Sequence, residues 1–170
     1  FDAVESHFPP DKHKMIIAVG YVQNNKVRKE KFIRSKEMGY RLMNFISPKA
    51  IVHPETSIGE NCFIDHNTII SPEAKIGNDV IIRSGCYIGH DVVIGDHCFF
   101  SPGVSVAGTV NIGSGSYFGV SSVVRNKVSI GEECVIGAGA IILEDAGDRS
   151  VYLGAPATLL SISSNELPLG

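Results

Sequence analysis

Every sixth residue from Val52 to Ile142 is large and apolar, a run of 16 positions without a slip. The column begins Val52, Ile58, Ile64, Ile70 and runs through Phe100 and Phe118 to Ile130, Ile136 and Ile142. If about a third of positions carried such side chains by chance, the odds of this run would lie well below roughly one in a million. The fifth residue of each repeat is small, from Thr56 and Cys62 to Ala140 and Ala146. Each repeat thus supplies one large and one small core position. Six residues make a short strand and a corner, and three such units close a triangular coil. Coils stack at the inter-strand spacing of about 4.8 Å. The spacing predicts an all-β solenoid, a parallel β-helix with full coils at 52–69, 70–87, 88–105, 106–123 and 124–141. Glycine often follows the large residue, as at Gly59, Gly77, Gly89, Gly95 and Gly113. Those glycines are expected to serve the backbone geometry of the corners.

All four cysteines occupy the small core position, separated by 24, 12 and 36 residues, each a multiple of six. They read as buried hydrophobes, not as disulfides, metal ligands or nucleophiles. A chain with four unpaired thiols suits the cytoplasm. The net charge of −3 argues against a nucleic-acid partner. Apolar runs are short and interrupted, so no membrane span is expected. The opening stretch FDAVESHFPPDKHK is polar and lacks the apolar centre of a signal peptide. The sequence starts without Met, and an earlier part of the native protein is expected to precede it.

Three segments follow: an α/β portion over 1–50, the β-helix over 51–147 and an extension over 148–170. Within the first, MIIAVG (15–20) reads as a buried strand and 25–39 as a helix closed by Gly39. YRLMNFI (40–46) reads as a further strand. In the last, Gly154-Ala155-Pro156-Ala157 reads, on its residues alone, as a plain terminal turn, and the tail SISSNELPLG reads as frayed.

Among six histidines, His7 and His13 fall in the polar opening stretch. His53 and His66 sit in the first coil and His97 at a corner; all five are expected at the surface. His90 is the third residue of the repeat Ile88–Val93 and projects from a corner. One coil on, the same corner carries Gly108, and two coils on, Asn126. An imidazole beside an exposed glycine N–H is what acyl transfer needs. The first removes a proton from an amine or hydroxyl, and the second stabilises an oxyanion. By spacing alone, His90 reads first as an ordinary exposed corner histidine.

The stretch IIRSGCYIGHDVVIGDHCFFSPGVSVAGTVNIG (81–113) resembles the active-site coils of hexapeptide-repeat sugar acetyltransferases of the sialic-acid and bacillosamine type. There a His followed by Glu or Asp is answered one coil later by the glycine of an Ala-Gly or Ser-Gly pair. The resemblance implies a left-handed β-helix, an exception to the right-handed crossover rule. It implies His90 as general base with Asp91 as its acidic partner. It implies Gly108, Asn126, Ala138 and Pro156 as contacts to the co-substrate acetyl-CoA, with no metal. It further implies a homotrimer with sites between subunits, and a sugar or nucleotide-sugar acceptor for surface-glycan biosynthesis. Residues 15–46 resemble part of the small Rossmann-like domain of those enzymes. The glycine-rich unit that opens that domain has no counterpart in this sequence.

Two positions depart from the family. Phe99 stands where many relatives carry a second, coenzyme-touching histidine. Arg83 stands where relatives often carry an acceptor-binding Asn. Arg83 is read as a contact to an acceptor carboxylate or phosphate, with a solvated corner arginine as the alternative. N- and O-transfer stay open, because His90 serves either. Two other classes compete. A γ carbonic-anhydrase-like metal enzyme needs three gathered histidines, and His66, His90 and His97 lack that spacing. A non-catalytic structural β-helix is the other; its ice-binding form needs a rank of threonines, and here they are scattered at 56, 68, 109 and 158.

Overall fold

The computed structural model describes residues 1, 3–159 and 161. Residues 45–152 form a parallel β-solenoid of about six turns with three flat faces. The first face carries seven strands among the described residues, from Phe45–Ile46 through Phe63–Ile64, Ile81–Ile82 and Phe99–Phe100 to Val151–Tyr152. The second carries six, from Ile51–Val52 through Tyr87–Ile88 to Ile141–Ile142, and the third five, from Ser57–Ile58 to Ser129–Ile130. Pairing is parallel with a step of one coil, as Tyr87 with Ser105 and Val93 with Asn111. The pairing reaches past 51–147 at both ends, to Phe45–Ile46 and Val151–Tyr152. The last coil is shorter than the others, since Val135 pairs with Val151. The frayed tail predicted from SISSNELPLG lies, beyond Ser161, outside the described residues.

Both core columns point inward as the period requires. Ile64, Ile82, Ile88, Phe100 and Ile136 are fully buried, and the rings of Phe100 and Phe118 stack at 4.6 Å. Each such side chain contributes about 1.5–3 kcal/mol of burial. The four cysteines are free and buried in the small column. Burial pushes the Cys62 and Cys86 thiols up to about 11 and the Cys98 thiol up to about 12, so these three supply no thiolate.

The corner geometry differs from the expectation. The residue with positive φ is the third after the large one: Asn61, Asn67, Asp79, Asp91, His97 and their equivalents every six residues, with glycine at 85, 103, 115 and 139. The glycine directly after the large residue serves close approach instead. A Cβ on Gly77 would stand 2.8 Å from the Gly95 carbonyl carbon, and one on Gly89 2.6 Å from Gly108 N. Backbone of the next coil fills the space a side chain would need.

Two elements before the solenoid also differ. The strand predicted over 15–20 is confined to Lys14–Met15, which pairs in parallel with Arg41–Leu42 around the helix Lys26–Glu37. Beyond Met15 the chain turns to the solenoid, where the Ile17 N–H donates to Asn61 Oδ1 at 2.8 Å. The strand predicted over 40–46 is two strands in two sheets. Arg41–Leu42 completes the small sheet and Phe45–Ile46 starts the first solenoid face. Asn44 makes the switch, accepting from the Cys62 N–H at 2.8 Å and donating to the Gly59 carbonyl at 2.7 Å. The helix ends as predicted, at Gly39 with φ +85°.

His97 is also a correction: it is buried, not at the surface. Its Nδ1 lies 2.8 Å from Asp79 Oδ2, and Phe32 of the helix meets its ring edge-on. The same Asp79 oxygen is 3.1 Å from Arg28 Nε, with both side chains fully buried. Asn61 Nδ2 donates to Asp79 Oδ1 at 2.7 Å. The Arg28 guanidinium further donates to the carbonyls of Gly20, Asp79, His97 and Cys98. Burial pushes the guanidinium down from its ordinary range and Asp79 opposes the shift. This buried set fastens the helix to the corner between the third and first faces.

Candidate functional site

His90 and Asp91 form the corner that follows the second-face strand Tyr87–Ile88. Asp91 takes the positive-φ position at +56°, one of the few that Asp tolerates well, and this turn throws both side chains outward. His90 Nδ1 lies 2.8 Å from Asp91 Oδ2. An ionised carboxylate only accepts, so Nδ1 carries the hydrogen and Nε2 the free lone pair. That lone pair sits over Gly108: a Cβ at 108 would stand 2.4 Å from His90 Nε2. Only glycine leaves the ring this position. The coils are tied together here by Thr109 N–H to the His90 carbonyl at 2.8 Å and Lys127 N–H to the Gly108 carbonyl at 3.1 Å. Among the described residues, no backbone carbonyl accepts from the Gly108 N–H. Asn126 is exposed one coil further along the same corner. The chemistry of this column is a proton acceptor, a fixed tautomer and an amide donor.

The other expected site residues stand elsewhere on the chain. Arg83 and Ala138 belong to the corner that precedes the second face, so that face separates them from His90. Arg83 is half-exposed, and its Nε pairs with Asp65 Oδ2 at 3.2 Å. Ala138 meets the C-terminal turn, where a Cβ on Gly154 would collide with the Ala138 carbonyl. Pro156 is exposed beyond it. A cavity of about 290 Å³ lies between Gly139–Ile142 and Tyr152–Ala155. Phe99 faces outward on the first face but is nearly buried. Its ring stacks 5.8 Å from Tyr117, and Tyr21 packs against both at 4.9 Å. Tyr21 was not singled out in the sequence. The aromatic outward positions Phe63, Phe99 and Tyr117 were the signal that something covers this face.

Histidines 66, 90 and 97 occupy three different corners, and His97 is engaged with Asp79. No helix among the described residues is long and apolar enough to cross a membrane.

Comparison with known proteins follows the same lines. The family profile "Bacterial transferase hexapeptide (six repeats)" matches residues 55–90 and 73–108. The profile "Hexapeptide repeat of succinyl-transferase" matches 109–144. No curated protein matches the sequence. Among solved structures, a histidine-to-asparagine variant of perosamine N-acetyltransferase from Caulobacter crescentus, in complex with CoA and GDP-perosamine, superposes with a TM-score of 0.85 at 27% identity. It covers 94% of this chain and 75% of that one. The acetyltransferase domain of PglB from Neisseria gonorrhoeae, in complex with acetyl coenzyme A, gives 0.84 at 26% identity, over 92% of this chain and 75% of that one. WeeI from Acinetobacter baumannii gives 0.74 at 26% identity, over 81% and 67%. With the repeat profiles together spanning 55–144 and acetyltransferases matching along nearly the whole chain, the protein belongs to the hexapeptide-repeat acyltransferases, with the fold of the sugar acetyltransferases among them.

Proposed function

We propose that this protein moves acetyl from acetyl-CoA to an amine or hydroxyl of a sugar, a nucleotide-linked amino sugar in the first instance, for surface-glycan biosynthesis in the cytoplasm. One observation carries the reading: the His90 ring is fixed by Asp91 with Nε2 over Gly108. Two of the solved structures support it, the perosamine N-acetyltransferase variant in complex with CoA and GDP-perosamine and the PglB acetyltransferase domain in complex with acetyl coenzyme A. In this reading His90 Nε2 takes the proton as the acceptor atom attacks the thioester carbonyl. The Gly108 N–H donates to the oxyanion. The carbon–sulfur bond then breaks, and the CoA sulfur takes the proton from His90. Asn126, Ala138 and Pro156 hold the coenzyme along the groove, and no metal takes part.

The homotrimer belongs to the same proposal, with a left-handed coil. The outward positions of the second face are Ile51, Ile69, Tyr87, Ser105, Val123 and Ile141, most of them exposed and apolar. The third face presents Ser57, Lys75, Val93, Asn111 and Ser129. An apolar ladder of this length seeks a partner surface. Packing three copies through the second face about a threefold axis is heterologous, so unlike edges meet. The His90 corner of one copy then faces the corner of the next that carries Arg83 and, about three coils on, Ala138. The residues that one chain keeps apart then line one groove. The helix Lys26–Glu37 and its flanking residues wall it on the acceptor side and residues 153–156 on the coenzyme side.

A panel of amino sugars and nucleotide-linked amino sugars tests the reading, with release of the CoA thiol as readout. Release with at least one member is expected, and silence with all would contradict it. Gly108→Ala sharpens the test. The added methyl displaces only the exposed His90 ring, so the folded state should change by no more than about 1 kcal/mol. Transfer should fall at least about tenfold through misplacement of the base. Unchanged turnover would place the chemistry away from this column.

A further inference from the structure

A second cavity, of about 190 Å³, lies where residues 18–21 cross the first face. Val19, Gly20, Tyr21, Phe63, Phe99 and Arg83 line it. Its walls are aromatic and fixed: the Tyr21 and Phe99 ring centroids are 4.9 Å apart at 63°, and Phe99 is 7% exposed. Its volume is below the roughly 300–1,000 Å³ of sites for drug-sized ligands, so it has room for one ring and not for a whole nucleotide.

Arg83 is its cation. The backbone there is held on both sides, by Arg83 N–H to the Phe100 carbonyl at 2.9 Å and Thr68 Oγ1 to the Arg83 carbonyl at 3.1 Å. Asp65 engages Nε at 3.2 Å. Among the described residues, neither Nη of Arg83 donates a hydrogen bond, and the side chain stays 48% exposed. Asp65 therefore orients the guanidinium and leaves its fork open at the rim of an apolar cavity. Two parallel N–H groups in that geometry match a carboxylate or a phosphoryl group. Aromatic walls match the apolar face of a ring.

We propose that this cavity binds a six-membered ring bearing an oxyanion, and that the protein's acceptor is an acidic sugar whose carboxylate or phosphoryl group rests on Arg83. The link to the acceptor rests on the acetyl-transfer reading; the ligand class of the cavity does not. In the trimer the ring lies in one copy, and its amine or hydroxyl reaches His90 of the next. Arg83 thereby sets specificity for charge, and takes no proton.

The test uses ring probes without sugar stereochemistry: cyclohexanecarboxylate, cyclohexyl phosphate and the neutral cyclohexanecarboxamide. Each is titrated into the full chain and followed at the Arg83 Nε–Hε nuclear magnetic resonance signal, assigned by its loss in Arg83→Gln. At least one anion should saturate about tenfold more tightly than the amide, as for a charge-assisted bidentate contact. The stronger anion tells carboxylate from phosphoryl. Arg83→Gln should erase the preference, read from competition calorimetry, and Arg83→Lys should restore only part of it. Circular dichroism and the thermal transition establish that both variants fold. Equal affinity for anion and amide, or no saturable response to either anion, would overturn the proposal. Acetyl-CoA titrated into the same sample separates the two readings. Coenzyme binding without anion binding removes the acidic acceptor alone. Anion binding without coenzyme binding removes acetyl transfer and leaves the cavity's ligand class standing.

Discussion

Replacing His90 with alanine is expected to slow acetyl transfer by about 10²- to 10⁴-fold, the usual contribution of a general base. That equals about 3 to 5.5 kcal/mol of barrier. The fold should be untouched, because the side chain is 62% exposed. Affinity for acetyl-CoA should change little, because the groove along Gly108 and Asn126 remains. The loss should appear in kcat, read from single-turnover rates at saturating coenzyme. A loss confined to KM would make His90 a binding group instead. Asp91→Asn should cost less than His90→Ala, since the ring keeps its place and loses only the partner that fixes its tautomer.

The second large effect concerns stability. Asp79 accepts from Arg28, His97 and Asn61 at once, and it is fully buried. Asp79→Ala leaves a buried guanidinium with carbonyls alone for partners. Breaking a buried pair from one side costs about 3–5 kcal/mol. The exposed pair of Arg149 with Glu133, at 3.5 Å, is the control: Glu133→Gln should cost no more than about 1 kcal/mol. Denaturant unfolding should separate the two variants clearly. Proteolysis should find the helix Lys26–Glu37 first in Asp79→Ala, because this network is what docks it. Equal stability of both variants would mean that Arg28 finds water or another acceptor when Asp79 is gone.

The particular residues show why some of this was legible in the sequence and some was not. The large and small columns follow from one physical rule, that a coil of fixed length stacks like on like. A period therefore reports the interior whatever the neighbouring segments do. The same column arithmetic brought Gly108 under His90 and the four cysteines into the core. The outward positions obey no such rule. Phe99, Tyr117 and Ile81 look out from the first face and are covered there only because residues 18–21 cross it. His97 shares the positive-φ column with Asn61 and Asp79, a column of turn-forming residues that the more frequent glycines obscured. Its burial depends on a helix 60 and more residues earlier, which no local pattern reveals. The same holds for the strand over 15–20, which stops where Asn61 captures Ile17. Arg83 and His90 stand at opposite edges of the second face in one chain, and the proposed trimer would bring them together.

The proposed function requires an acetyl-CoA site along the His90 corner. Calorimetric titration of the native chain and of His90→Ala with acetyl-CoA examines that site. Micromolar binding to both proteins is expected, with similar heats and with acetyl transfer surviving only in the native chain. An absence of binding to the native chain would contradict it, and would leave the solenoid as a scaffold whose ligand is something else.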